Sequence, residues 1–148
     1  MKIGHTHLKV RDLDRSVDFY QRILGLRVTE RMGDHFVFMT AGDMHHEIAL
    51  QSVGAGAVSP PPGSTGLFHV AFEVPDRQAF ARAYETVRSA GPVAAVDHRI
   101  SWAMYFSDPD GNGLEIYVDT RDAADGARLW DGWDRPLPEA KIRASAAG

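Results

Sequence analysis

Three residues define the chemistry that this chain can support: His5, His69 and Glu115. Each lies in a stretch of alternating apolar and polar residues, and each is out of phase with its aliphatic neighbours. His5 alternates against Leu8 and Val10, His69 against Val70 and Phe72, and Glu115 against Leu114 and Ile116. Side chains in that phase point away from the face that a helix covers, toward a cavity. Two imidazoles and one carboxylate on one face form a facial triad, which leaves three positions open on an octahedral ion. Fe(II) or Mn(II) suits those donors, and open positions are what substrate and dioxygen chemistry needs.

A lone strand histidine is ordinarily a hydrogen-bonded structural residue. Here the setting is repeated. His5-Thr-His-Leu8-Lys-Val10-Arg-Asp12 and His69-Val-Ala-Phe72-Glu-Val74-Pro-Asp76 each open on a histidine, and each ends on an aspartate suited to cap a helix. Amphipathic helices are expected over Leu13–Leu24 and Arg77–Ala90, closed by Gly25 and Gly91. The first turns Val17, Tyr20, Ile23 and Leu24 inward, the second Phe80, Tyr84 and Val87. Strand-like runs cover residues 3–10, 27–31, 36–40 and 45–52 in the first copy. In the second they cover 67–74, 93–97, 101–107 and 113–119, with Asp108-Pro-Asp-Gly111-Asn112 as a tight turn. Two copies are too few for a solenoid. The pattern predicts an α+β fold: two βαβββ modules, residues 1–53 and 67–121, forming an open cavity-lined sheet with helices outside.

These modules make one domain, residues 1–121, joined internally by a linker over 54–66 that Pro60-Pro61-Pro62 stiffens. Residues 122–148 read as an irregular C-terminal arm, with Trp130 and Trp133 docked on the body or a neighbouring subunit, the last residues disordered, and the acidic side chains solvated. A net charge of −4 without a basic cluster argues against a nucleic-acid partner. The absence of cysteine excludes disulfides, thiolate ligands and cysteine nucleophiles. No apolar run approaches the roughly 18 residues of a membrane span, and the N-terminus lacks a signal-peptide pattern. A soluble cytoplasmic protein is expected.

The duplicated His-x-x-Leu/Phe-x-Val-x-Asp motif, with Asp108-Pro-Asp-Gly-Asn-Gly-Leu-Glu115 near the end, resembles the vicinal oxygen chelate superfamily over residues 3–118. That group includes glyoxalase I, extradiol ring-cleaving dioxygenases, methylmalonyl-CoA epimerase, fosfomycin-resistance enzymes and metal-free bleomycin-binding proteins. The resemblance implies that His5, His69 and Glu115 are metal ligands. Val96, His98, Met104, Tyr105, Asp108, Pro109, Gly111 and Glu115 are similar, in type and spacing, to the extradiol dioxygenase signature. This implies that Tyr105 hydrogen-bonds substrate or an intermediate near iron, with His98 close by. His45-His46-Glu47-Ile48-Ala49-Leu50 resembles the extradiol strand whose histidine handles protons at the oxygen site, and His46 matches it best.

Periodicity speaks differently. Glu47 alternates against Ile48 and Leu50 and so takes the cavity phase, where Glu47-Ile48 mirrors Glu115-Ile116. His5, Glu47, His69 and Glu115 resemble the two-His, two-Glu site of glyoxalase I. A bulge at the start of the strand could present both His46 and Glu47. The favoured reading is an extradiol-type dioxygenase using Fe(II), or Mn(II), to cleave a catecholic ring with O2. His46 would relay protons, Tyr105 would orient the ring-derived intermediate, and His98 and Glu47 would lie nearby. The alternative is a glyoxalase- or epimerase-like lyase or isomerase that uses Glu47 on Ni, Zn, Co or Mn; a metal-free drug-binding protein comes third. Extradiol enzymes are commonly twice this length, so the chain resembles an active half. The resemblance also implies a homodimer, and leaves open whether His5 meets His69 within one chain or across two. His7 reads as a solvated strand residue and His35 as a turn residue.

Overall fold

Local capping decides the first helix before packing does. In the computed structural model, which describes residues 1–147, α1 (Leu13–Leu24) begins where the Asp12 side chain accepts the Arg15 N–H. It ends at Gly25, whose φ of 66° is the left-handed conformation that glycine adopts without penalty. Leu13, Ser16, Tyr20 and Ile23 form its buried stripe, with Val17 and Leu24 half-buried at the edge. The second helix, α2 (Arg77–Ala90), repeats the device: Asp76 accepts the Ala79 N–H, and Phe80, Ala81, Tyr84 and Val87 are buried.

Two compact units result. The first comprises residues 1–68 and 107–112. Its sheet contains β1 (Thr6–Val10), β2 (Arg27–Met32), β3 (Phe36–Thr40) and β4 (Ile48–Ser52), in the order β1-β4-β3-β2. β1 runs parallel to β4, whereas β2, β3 and β4 are antiparallel neighbours. Leu8, Val10, Val37, Met39, Ile48 and Leu50 are buried, and α1 packs on β3 and β4.

The turn at residues 108–112 is fastened within this unit. Asp108 Oδ1 accepts the N–H groups of Asp110 at 2.9 Å and Asn112 at 2.8 Å, and its Oδ2 accepts the Tyr20 hydroxyl at 3.1 Å. Burial, and then the Asp108 charge, push the Tyr20 phenol well above its ordinary pKa. Gly111, at φ 87°, supplies the left-handed corner. Asp110 accepts the Arg11 N–H at 3.1 Å and pairs with the Arg11 guanidinium at 2.9 Å and that of Arg15 at 2.7 Å.

The second unit comprises residues 69–106 and those from 113 onward. Its sheet contains β5 (Val70–Glu73), β6 (Ala94–Asp97), β7 (Ser101–Ser107), β8 (Gly113–Asp119) and β9 (Arg135–Pro136), in the order β5-β8-β7-β6-β9. β5 runs parallel to β8, and β6 is antiparallel to both β7 and β9. Phe80 meets the fully buried Trp102 edge to face, with ring centroids 6.1 Å apart.

The tail departs from the irregular arm expected of it. Besides β9 it forms α3 (Glu139–Ala144) and a single 3₁₀ turn, Ser145–Ala147. Ile142 is fully buried and Leu137 nearly so. Arg88 pairs with Glu139 at 2.6 Å and Arg143 with Glu85 at 2.8 Å, while the Lys141 ammonium lies 4.8 Å from the Trp102 ring centroid. A two-residue strand and a six-residue helix are too short to leave a readable period. In the single chain Trp133 is exposed and Trp130 half-exposed. Among the described residues no helix is long and apolar enough to cross a membrane.

Two outcomes follow from this packing. Ile142→Ala should cost about 2–5 kcal/mol, as truncation of a buried isoleucine does; urea denaturation checks it, and a cost near zero would mean that the tail is not part of the folded unit. Burial alone would raise the Asp110 pKa, but the Arg11 N–H and the Arg15 and Arg11 guanidinium groups outweigh it and hold that carboxyl below its usual range. Its stabilisation is therefore complete above the usual carboxylate range and is lost as pH falls through the depressed value. Asp110→Asn should cost about 1–2 kcal/mol near neutrality, discounted for the exposure of Arg15, and the gap should close at acid pH. Urea midpoints of both proteins across an acid series check it.

Candidate active site

Several of the candidate residues stand just before strand starts. β1, β4 and β5 begin at Thr6, Ile48 and Val70, later than periodicity suggested, so His5, His46, Glu47 and His69 all fall just outside the strands. Side chains at such positions are less bound by strict alternation.

In the second unit, parallel pairing of β5 and β8 sets Ala71 level with Glu115. His69 lies two residues before Ala71, on the same face, and leans across so that its Nε2 meets Glu115 Oε2 at 2.8 Å. Glu115 is almost buried, at 11% side-chain exposure, which makes a nearby partner obligatory for an ionised carboxylate. Tyr105 on the neighbouring β7 brings its hydroxyl to 3.4 Å from Glu115 Oε1 and 2.8 Å from His98 Nε2. The other nitrogen of His98, Nδ1, lies 2.6 Å from Asp134 Oδ1. Asp134, His98, Tyr105, Glu115 and His69 thus stand in one line of polar contacts, in which the single Tyr105 hydroxyl proton can serve either His98 or Glu115. Burial, followed by the charge and hydrogen bond of Glu115, pushes the Tyr105 phenol up to about 12, so it stays protonated at neutral pH.

Sequence reasoning singled out four of these five residues. It missed Asp134, read as a solvated acidic group, because the strand that presents it is two residues long. Trp130, expected to dock on the body or on a neighbouring subunit, stands edge-on to His98 with ring centroids 6.1 Å apart.

In the first unit, the His5 and His46 rings lie 4.5 Å apart, and Phe38 closes on His46 at 4.8 Å. His46 Nδ1 is 2.8 Å from His45 Nδ1, and His45 Nε2 reaches Glu30 at 3.1 Å. Burial, then the neighbouring His5 and His45, lower the pKa of His46, which favours the neutral imidazole. The irregular backbone over residues 41–47 brings His46 onto the His5 side despite its aliphatic phase. Glu47 turns instead to its own loop, where Oε2 accepts the Ala41 N–H at 3.0 Å.

The registers also separate Glu47 from Glu115. Ala71, two residues past His69, stands level with Glu115; the same step from His5 reaches His7, which stands level with Ala49. The positional counterpart of Glu115 is therefore Ala49, and the mirrored Glu-Ile pairs are offset by two residues. Among the described residues, no three His, Asp or Glu side chains gather into one group able to hold a metal ion. His69 and Glu115 form a two-donor pair in one unit, and His5 belongs to the other.

A duplicated βαβ unit with a histidine at each opening strand defines a class of protein. The chain belongs to the Glyoxalase/Bleomycin resistance protein/Dioxygenase superfamily, whose pattern matches residues 2–116. It is 36% identical over 118 residues to the catechol-2,3-dioxygenase of Bacillus subtilis, covering 79% of this chain and 41% of that enzyme. The chain thus spans less than half the length of that relative. It is 28% identical over 141 residues to the lactoylglutathione lyase of Pseudomonas aeruginosa, covering 76% of this chain and 80% of that one. The crystal structure of a glyoxalase/dioxygenase from Nostoc punctiforme superposes with a TM-score of 0.60 at 30% identity, over 80% of this chain and 90% of the other. Relatives therefore include both dioxygenases and lyases.

Proposed function

We propose that the chain is an extradiol-type dioxygenase that opens a catecholic ring with O2. The observation that carries this reading is the line of polar contacts His98–Tyr105–Glu115–His69, which gathers the residues of the dioxygenase-like motif. The likeness to the Bacillus subtilis catechol-2,3-dioxygenase adds to it.

The donor set fits a divalent ion. Two ligands that each sit about 2.0–2.2 Å from an ion, at a right angle to one another, lie about 3 Å apart, close to the 2.8 Å between His69 and Glu115. In this proposal His69 and Glu115 hold the ion, and His5, of the same chain or of a second copy, is the third ligand. Iron(II), or manganese(II), would supply there the open positions and electron donation that dioxygen activation requires. Both atoms of O2 enter the ring-opened product, so the overall reaction needs no external reductant.

The protein's own groups carry the rest. His46, held neutral, accepts the proton that a catechol hydroxyl must release. Tyr105, protonated at neutral pH, hydrogen-bonds the substrate oxygen, and His98 steadies the phenol. A homodimer belongs to the same proposal.

The competing reading is a lyase or isomerase that uses Glu47 as ligand or base, in line with the lactoylglutathione lyase relatives. The register offset of Glu47 and its hydrogen bond to Ala41 speak against it.

The test is oxygen uptake after anaerobic loading with Fe(II), across catechol and substituted catechols. Uptake with a yellow ring-opened product is expected, falling at least about 100-fold in His69→Ala, more than loss of a partner outside the ligand set ordinarily costs. Metal-loaded protein that consumes no oxygen with any catechol, but turns over lactoylglutathione in a Glu47-dependent way, would establish the lyase instead.

A further inference from the structure

We propose that Asp134 is a positioning residue: its carboxylate fixes the His98 proton on Nδ1, and so decides which way the Tyr105 hydroxyl points its own proton. The inference rests on the proposed function for the identity of the reaction, but not for the hydrogen-bond arrangement.

Strand register makes the contact. β9 pairs with β6 so that Val96 meets Pro136 and Asp97 meets Arg135. One further step of that antiparallel ladder sets His98 opposite Asp134, and the side chains close to 2.6 Å. An ionised carboxylate is an acceptor only, so the hydrogen on that line belongs to His98 Nδ1. In the neutral ring Nε2 is then the acceptor.

The consequence falls on Tyr105. Its single hydroxyl proton has two acceptors within reach, His98 Nε2 at 2.8 Å and Glu115 Oε1 at 3.4 Å. With the His98 proton fixed on Nδ1, the phenol donates to the imidazole along the shorter line. Both oxygens of Glu115 keep their lone pairs free of it. Were His98 to carry its proton on Nε2, it would donate to the phenol oxygen, and the phenol would turn its hydrogen onto Glu115. A carboxylate on the tail thus sets the hydrogen bonding of a carboxylate at the site.

The turn bearing His98 is built for this task. Arg99 sits at φ 71°, a left-handed conformation that a residue with a Cβ holds only when its surroundings fix it. Its N–H donates to Asp97 Oδ1 at 2.7 Å, and its carbonyl accepts from Thr120 Oγ1 at 3.0 Å and the Ala127 N–H at 2.9 Å. The segment after β8 therefore braces the backbone, Trp130 stands against the ring, and Asp134 holds the ring nitrogen.

Long-range 1H–15N spectra of the histidine side chains test this in labelled protein free of paramagnetic metal, with the His98 signals assigned by their loss in His98→Gln. The wild type should show a protonated Nδ1 and an unprotonated Nε2. Asp134→Ala should shift His98 toward the Nε2–H form, and Asp134→Glu should restore it, with circular dichroism confirming that both variants fold. An Nε2–H ring in the wild type, or a ring unaltered in Asp134→Ala, overturns the proposal. In turnover, Asp134→Ala should lower kcat roughly tenfold with KM within about twofold, as loss of an orienting partner does, and Asp134→Glu should recover most of it. A shifted tautomer with undiminished kcat would overturn the positioning role. Catechol turnover by the wild type is read separately: its absence would count against the dioxygenase reading, while the spectra still decide the tautomer.

Discussion

Parallel pairing between the opening and closing strands of each unit is the constraint on which the rest depends. It sets Thr6 beside Ile48 in the first unit and Val70 beside Leu114 in the second. A parallel ladder cannot be closed by a hairpin, so each unit needs a helix and further strands to carry the chain round, which is what the βαβββ order supplies. In the second unit the same ladder brings an imidazole and a nearly buried carboxylate within 2.8 Å. A buried carboxylate without partners would be costly. His69 is thus the partner that makes Glu115 tolerable, and the Tyr105 hydroxyl stands beside the pair.

The registers also show how a duplicated module becomes asymmetric. Both units place a histidine just before the opening strand, but the residue level with Glu115 has the side chain of Ala49 in the first unit. The first unit surrounds His5 with His46 and Phe38 and turns its carboxylate, Glu47, back onto a loop N–H. One copy sets imidazoles in an aromatic setting; the other sets a nearly buried carboxylate beside an imidazole and a phenol. Duplication conserved the backbone frame and left the side chains free to take different tasks.

Helices were legible in the sequence because their ends are local chemistry. Asp12 and Asp76 cap the starts through their own side chains, and Leu13–Leu24 and Arg77–Ala90 fall where those caps and the apolar stripes predict. The strands Phe36–Thr40, Ser101–Ser107 and Gly113–Asp119 were equally plain, being bounded by turn residues. The starts of β1, β4 and β5 were not, since alternation continues past the point where ladder pairing stops. That is why periodicity assigned Glu47 to the open face and His46 to the covered one, whereas the irregular chain at residues 41–47 lets the His46 ring reach His5. Asp134 was illegible for a deeper reason. Its importance comes from pairing with a strand far away in sequence, and two residues of strand leave no period to detect.

That distant pairing links stability to chemistry. The tail is anchored at one end by Ile142, buried beside α2, and at the other by the backbone bonds to Arg99, so β9 is fixed from both sides. Asp134 lies between these anchors, about half-exposed, while His98 is mostly covered. The line of polar contacts therefore runs from solvent at Asp134 to the nearly buried Glu115 without leaving the second unit. A charge at the outer end of such a line acts through the orientation of neutral hydrogen bonds, at little desolvation cost to itself, because it stays in contact with water. The inner carboxylate, which cannot be hydrated in that way, receives a fixed arrangement of partners instead. A segment remote from Glu115 in sequence can in this way govern the hydrogen bonding around it.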